Sequence, residues 1–179
     1  GEPPVIFSPE LTDLSCTQLR RAMQNRGYFR ASVDTTMKVK KRKVDITYHV
    51  TAGEPYTLRN YSTFFTQPDL QKIANDSRNS LIESGMQFNA DLMDQERQRI
   101  ATAMRRRGYF YFDKELIQFI ADSTMGRQQI DVNMCLQNYV ENLSDNEKSQ
   151  LFRKYRIANV YFHLDYDADH VPEGETLLT

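Results

Sequence analysis

The feature that most constrains this chain is a phrase it uses twice. Arg26-Gly27-Tyr28-Phe29 returns as Arg107-Gly108-Tyr109-Phe110, 81 residues later. At the same offset Phe7 matches Phe88, Leu11 matches Leu92, Leu19 matches Ile100, Ala22-Met23 match Ala103-Met104, and Val39 matches Ile120. A fixed period of this size means tandem copies of one supersecondary unit. Small serial modules are therefore expected over one large interior.

The second copy reads as a complete β-α-α-β-β unit. Tyr56 to Phe65 suits a strand. Thr66-Gln67-Pro68-Asp69 looks like a helix start, with a hydroxyl cap and Pro in the first turn, and Leu70, Ile73, Ala74 and Leu81 continue it to Gly85. A second helix opens near Asn89 on the stripe Leu92, Ile100, Ala103 and Met104. Asp91, Asp94 and Glu96 sit at its start and Arg105 to Arg107 at its end, which suits the helix dipole. Gly108 is the natural stop. Strands follow over Phe110 to Ala121 and Ile130 to Leu136.

The first copy shows only the second half of that pattern. A helix runs through Leu11, Leu14, Leu19 and Met23 to Gly27. A strand follows with Val33, Thr35, Met37 and Val39 on one face, then another with Val44, Ile46, Tyr48 and Val50. Asp45-Ile46 matches Asp131-Val132 at offset 86, and Tyr56 matches Tyr155 at offset 99. The inserted stretch 137–154 holds Ser144-Asp145-Asn146-Glu147, a capping box for one short helix. Tyr155 to Tyr166 then reads as the first strand of a third unit, expected either to pair between molecules or to pack on the second repeat. The sequence thus divides into a partial module over 5–53, a complete one over 54–140, a helical linker over 141–154, and a strand with an acidic tail over 155–179. On this reading the piece starts inside one repeat and stops inside another.

Little in the chain suggests reaction chemistry. Three histidines, His49, His163 and His170, have no Ser, Cys or metal-ligand partner at a recognisable spacing, so neither enzyme nor cofactor is implied. Asp165, Asp167 and Asp169 imitate a calcium loop, but His170 stands where the sharp turn needs Gly and Thr176 where a bidentate Glu is required. Cys16 and Cys135 fall in different repeats and read as two free thiols. A net charge of −1 gives no steering towards nucleic acid. The Lys38–Lys43 run reads as a solvated hairpin tip, and Phe29 and Phe110 break the RNA-recognition strand motif. No stretch is long and apolar enough for a membrane helix.

A helix ending in Gly-Tyr, an alternating hairpin and the joint Ala52-Gly53-Glu54-Pro55-Tyr56 resemble the POTRA (polypeptide-transport-associated) domain. Gly85-x-x-Phe88-x-x-x-Leu92, Arg97, Ile100, Met104 and Gly108-Tyr109 are similar to that family's second-helix signature. The resemblance spans about residues 5–166 and is to the periplasmic arms of outer-membrane assembly proteins of the BamA and TamA type. It implies an α+β fold of tandem modules, each with a three-stranded mixed sheet and two helices on one face. It implies a non-catalytic periplasmic scaffold whose partners are unfolded outer-membrane β-barrel precursors, the protein's own C-terminal barrel, and accessory lipoproteins or an inner-membrane partner. Related modules serve cell division and two-partner secretion, and a nucleic-acid-binding α+β domain is the rival of another class.

In that family the strand after Gly-Tyr is an open edge, here Arg30–Lys40 and Phe110–Ala121. An open edge offers backbone N–H and C=O groups to an extended peptide. Val33, Thr35 and Met37 are the partner-binding candidates of the first edge. In the second, alignment to the first repeat directs Leu116 and Ile120 to the helices and Tyr111, Ile117 and Phe119 to the open face, where they would form an apolar binding stripe. The alternative is that this stripe packs on a neighbouring repeat or on 137–154.

Overall fold

The computed structural model describes residues 6–162. Helix α1 (Pro9–Asn25) leads into a hairpin of β1 (Ser32–Lys40) and β2 (Lys43–Thr51). Strand β3 (Thr57–Phe64), α2 (Pro68–Ala74), α3 (Ala90–Arg106), β4 (Ile117–Asp122) and β5 (Gln129–Leu136) form the second unit, followed by α4 (Asn138–Glu141) and α5 (Asp145–Leu151). The second sheet has the order β3-β5-β4, with β3 parallel and β4 antiparallel to the central strand. The architecture is the mixed α+β one the repeat implies.

The repeated Arg-Gly-Tyr has a specific local cause: it closes a helix. At the end of α1, Gly27 donates to the Gln24 carbonyl at 2.9 Å and Tyr28 to that of Met23 at 3.0 Å. At the end of α3, Gly108 donates to Arg105 at 3.0 Å and Tyr109 to Met104 at 3.2 Å. This paired pattern, with glycine in the left-handed region, satisfies the last carbonyls of a helix. The glycines have φ of +88° and +97°. The helix starts are capped too, by Ser8 on Leu11 and by Asn89 on Asp91 and Leu92.

The packed interior lies in the second unit. Leu58, Leu70, Ile100, Met104, Ile117 and Met134 form its centre. Val140 is buried there as well, and Leu143, Leu151 and Phe152 pack against it, so the 137–154 insertion docks on this module. In the first unit Ala31 is the one apolar side chain buried among the described residues. A helix and a hairpin alone do not enclose a core.

Four expectations need correction. Helix α2 stops at Ala74, and Leu81 lies beyond it, half-exposed. Gln67 caps that helix without a side-chain bond, while Thr66 instead donates to Glu141. The strand expected over Phe110–Ala121 begins only at Ile117, because Asp113 caps a tight turn over Lys114–Leu116 and Arg97 binds the Lys114 and Ile117 carbonyls. That turn resets the pleat by one residue, and a one-residue shift reverses every side chain. Ile117 and Phe119 therefore stand beside Leu136 and Met134 on the core side, Ile120 points outward, and Leu116 is buried in the turn. The predicted stripe of Tyr111, Ile117 and Phe119 does not exist as one surface. Fourth, residues 155–162 form no strand; positions 163–166 of that expected strand, with His163, His170 and the Asp165–Asp169 triplet, lie outside the described residues.

The reversed phase is directly measurable. Ile117→Ala is expected to cost about 3 kcal/mol, whereas Ile120→Ala stays within about 0.5 kcal/mol of the parent in chemical denaturation. A larger loss for Ile120→Ala than for Ile117→Ala would restore the original phase.

Candidate functional site

Two features could receive a partner: strand edges and the joints between units. Strand β4 has a free outer edge, and in the β1–β2 hairpin both outer edges are free among the described residues. On β1, Val33 and Thr35 are half-buried and Met37 is exposed. Near β4, Tyr111 and Ile120 are exposed, while Leu116 and Ile117 are buried. The structure thus leaves the β4 backbone edge available but withdraws Leu116 and Ile117 as side-chain contacts. Phe119 is half-buried against the core.

The joints are the feature that sequence reasoning noticed but did not interpret. At the first, the Tyr56 N–H donates to the Gly27 carbonyl at 2.9 Å, and the Phe29 ring meets Tyr56 edge-on at 5.1 Å. Phe88, just before α3, donates its N–H to the Tyr56 carbonyl at 2.9 Å and packs its ring 5.2 Å from Phe29. At the second, the Tyr155 N–H donates to Gly108 at 2.7 Å, and Phe110 and Tyr111 stand 6.2 and 5.4 Å from the Tyr155 ring. The two Gly-to-Tyr hydrogen bonds are counterparts, and the signal was the match of Tyr56 with Tyr155. Lys154 braces the second joint, bonded to Asp69 at 2.9 Å and lying 5.1 Å above the Tyr109 ring. Beside it is a groove of about 760 Å3 lined by Arg106, Gly108, Phe110, Tyr111, Tyr155 and Ile157.

The strongest electrostatic element is structural in character. Glu96, wholly buried on α3, accepts from Arg99 twice at 2.8 Å, from the Leu81 N–H at 3.0 Å, and from Ser80 and Tyr61. Burial pushes its pKa up, but the bonds from Arg99, Leu81 and Ser80 outweigh it and hold the carboxyl below its ordinary value. Tyr61, half-buried beside this carboxylate, is pushed well above the usual phenol range, first by burial and then by the Glu96 charge. This cluster explains why α2 ends early: the Ser80–Ile82 backbone is drawn to α3 by the carboxylate. On the sheet, Arg59 donates to Asp131 at 2.9 Å and Asn60 adds a bond at 3.3 Å, holding the Asp131 carboxyl below its usual range.

Among the described residues, His49 meets Thr36 across the hairpin at 2.9 Å, and Cys16 and Cys135 are free and half-buried. No cluster of three or more His, Cys, Asp or Glu residues that could hold a metal occurs among them.

Comparison with known proteins gives one family-model match over part of the chain and several similar structures. Residues 2–53 match the POTRA family model, described as a surface antigen variable number repeat. No curated protein matches the chain. Similar solved structures include POTRA domains 3–5 of Haemophilus influenzae BamA, at 16% identity over 75% of this chain and 52% of that one, with a TM-score of 0.47. BamA from Haemophilus ducreyi lacking POTRA domains 1–3 follows, at 15% identity, 76% and 24% coverage, and a TM-score of 0.44. POTRA domains 1–3 of Omp85 from Anabaena give 16% identity, 73% and 51% coverage, and 0.38. The chain spans about half the length of the first of these structures and about a quarter of the second. Residues 2–53, the stretch that matches this family model, contain the Gly-Tyr stop of α1 and the β1–β2 hairpin described above.

Proposed function

We propose that this chain is a non-catalytic periplasmic scaffold segment of an Omp85-family outer-membrane protein. Its open strand edges take up extended segments of unfolded β-barrel precursors, and accessory lipoproteins or an inner-membrane partner can use the same edges. The observation that carries this reading is the free outer edge of β4, with its counterpart on β1. A barrel precursor supplies the matching chemistry, a strand whose backbone groups are still unpaired. Main-chain hydrogen bonds then give affinity that tolerates many sequences, as a scaffold for diverse clients requires. The division into a partial module at 5–53, a complete one at 54–140 and a third starting near 155 belongs to this proposal, as does attachment to the protein's own barrel. The POTRA match over 2–53 supports the family context.

Photo-cross-linking tests it. A benzoylphenylalanine at Met37, Tyr111 or Ile120 is expected to trap a urea-unfolded barrel precursor several-fold more efficiently than one at Met125, which is equally exposed at a turn. Equal yields at all four positions would remove the edge-pairing reading.

A further inference from the structure

The first hairpin closes on a turn that its own residues do not favour. Lys41 and Arg42 alone join β1 to β2, and Lys40 faces Lys43 across the ladder. Both turn residues are left-handed, at φ +47° and +65°. A two-residue turn of this hand prefers Asn and Gly, and a residue with a longer side chain is strained in it. Like charges directly opposite each other destabilise a ladder as well. Backbone strain of this kind clusters at places with a function.

The charges at this tip are uncompensated. Lys38, Lys40, Lys41, Arg42 and Lys43 are all exposed, and none belongs to an ion pair among the described residues. Arg59, Arg97, Arg99, Lys114 and Lys154, by contrast, each stand against a carboxylate. The chain has 23 basic and 24 acidic residues, and with five of the 23 at this tip the remainder carries −6. The second hairpin shows that the fold itself asks for no such cluster: its turn over 122–128 holds one acid, Asp122, and one base, Arg127. Asp122 to Arg127 are exposed although that unit has its full three-stranded sheet, so exposure of the tip belongs to the hairpin and not to its surroundings.

We propose that the Lys38–Lys43 tip docks on the surface of an anionic lipid bilayer. Clusters of about 4–8 Lys and Arg residues are the pattern that an anionic leaflet attracts. Four of the five cations are lysines, compact charges that suit a diffuse negative surface better than the planar fork with which arginine grips a single carboxylate. A two-residue turn makes the tip convex, so it offers side chains to a flat surface and encloses no peptide. Residues 38–43 include no aromatic ring on which nucleic-acid bases could stack. The nine residues of β1 carry the tip about 30 Å from the base of the hairpin. A positive tip on a negative body also turns the molecule tip first, because the same surface repels the remainder.

Anionic headgroups beside Lys40 and Lys43 offset the repulsion built into the ladder, so the surface is met without refolding of the hairpin. Naming the leaflet as one that faces the periplasm rests on the scaffold role proposed above. Lipid binding itself does not, and it uses the turn rather than the backbone edges assigned to clients. A tip variant should therefore leave precursor cross-linking at Tyr111 and Ile120 at the parent level, and the two proposals fail separately.

Co-sedimentation of the full chain with vesicles of phosphatidylcholine and phosphatidylglycerol, mixed two to one, tests it. At about 0.1 M salt the parent is expected to bind these vesicles and not pure phosphatidylcholine, and to be released at about 1 M, as the screening length falls from about 10 to 3 Å. Lys41→Asn with Arg42→Gly removes two charges and supplies the residues that the turn prefers, so the hairpin stays folded. Each cation near such a surface changes affinity about fivefold, and this variant should bind about 30-fold more weakly. Arg20→Gln with Arg21→Gln, equally exposed but on α1, should stay within about twofold of the parent at this salt. A parent that binds neither vesicle, or both alike, overturns the proposal. So does an equal loss in the two variants, which would make net charge and not the tip responsible. Tighter binding to soluble polyglutamate than to the anionic vesicles also overturns it, with an acidic polypeptide as the partner.

Discussion

Replacing Glu96 with Ala is expected to lower the stability of the second unit by about 3 kcal/mol, the usual cost of removing one partner from a buried charge pair. Arg99 would lose its carboxylate, and the Leu81 N–H and the Ser80 hydroxyl would lose their acceptor. Glu96→Gln keeps the shape but not the charge and should fall between parent and Ala. The pH dependence has a definite sign. The folded carboxyl is held below its ordinary value of 4.5, so its contribution is fully present above that value. It is lost as pH falls through the folded pKa. The gap between parent and Glu96→Gln should therefore be widest near neutrality and shrink below about pH 4. A gap that stays constant down to strong acid would mean that folding does not shift the Glu96 pKa.

Gly27→Ala is the second large effect, and it acts on the joint. A Cβ at Gly27 would lie 2.9 Å from the Phe88 carbonyl oxygen and 3.2 Å from that of Tyr56, on a backbone at φ +88°. Both obstacles are main chain and belong to the next unit, so relief requires the two units to part. The left-handed conformation costs about 1–2 kcal/mol for a residue with a side chain, and forced overpacking typically 1–3 more. Gly85 supplies the control: its φ is +90°, but nothing lies within 4 Å of the added carbon. Gly85→Ala should show the conformational cost alone. Gly27→Ala should in addition lose hydrogen-exchange protection at the Tyr56 amide while α3 stays protected. Identical behaviour of the two variants would show that the close approach at Gly27 carries no weight.

What the sequence disclosed and what it hid divide along the range of the forces involved. The period, helix ends and strand alternation were legible because they are local. Gly27 and Gly108 close helices through their own neighbours, and Ser144 with Glu147 forms its capping box within four residues. The phase of β4 was not legible, because it depends on Arg97 of α3 reaching 17 and 20 residues along the chain to the Lys114 and Ile117 carbonyls and so fixing the Lys114–Leu116 turn. The end of α2 was hidden for a related reason: Glu96 draws the Ser80–Ile82 segment across to α3. In sequence that carboxylate looked like an ordinary dipole partner at a helix start. The candidate edges were legible as topology, since the unit order leaves β4 outermost. Which side chains flank them was not, and Ile117 shows the consequence of a one-residue shift.

The most direct test is amide hydrogen exchange with and without a peptide matching one strand of an outer-membrane barrel. Edge pairing predicts that amides along the β4 edge, and their counterparts on β1, gain protection in an alternating pattern. Those of the central strand β5 should not change. Peptide binding that protects neither edge, or protects α3 and the joints instead, would contradict it.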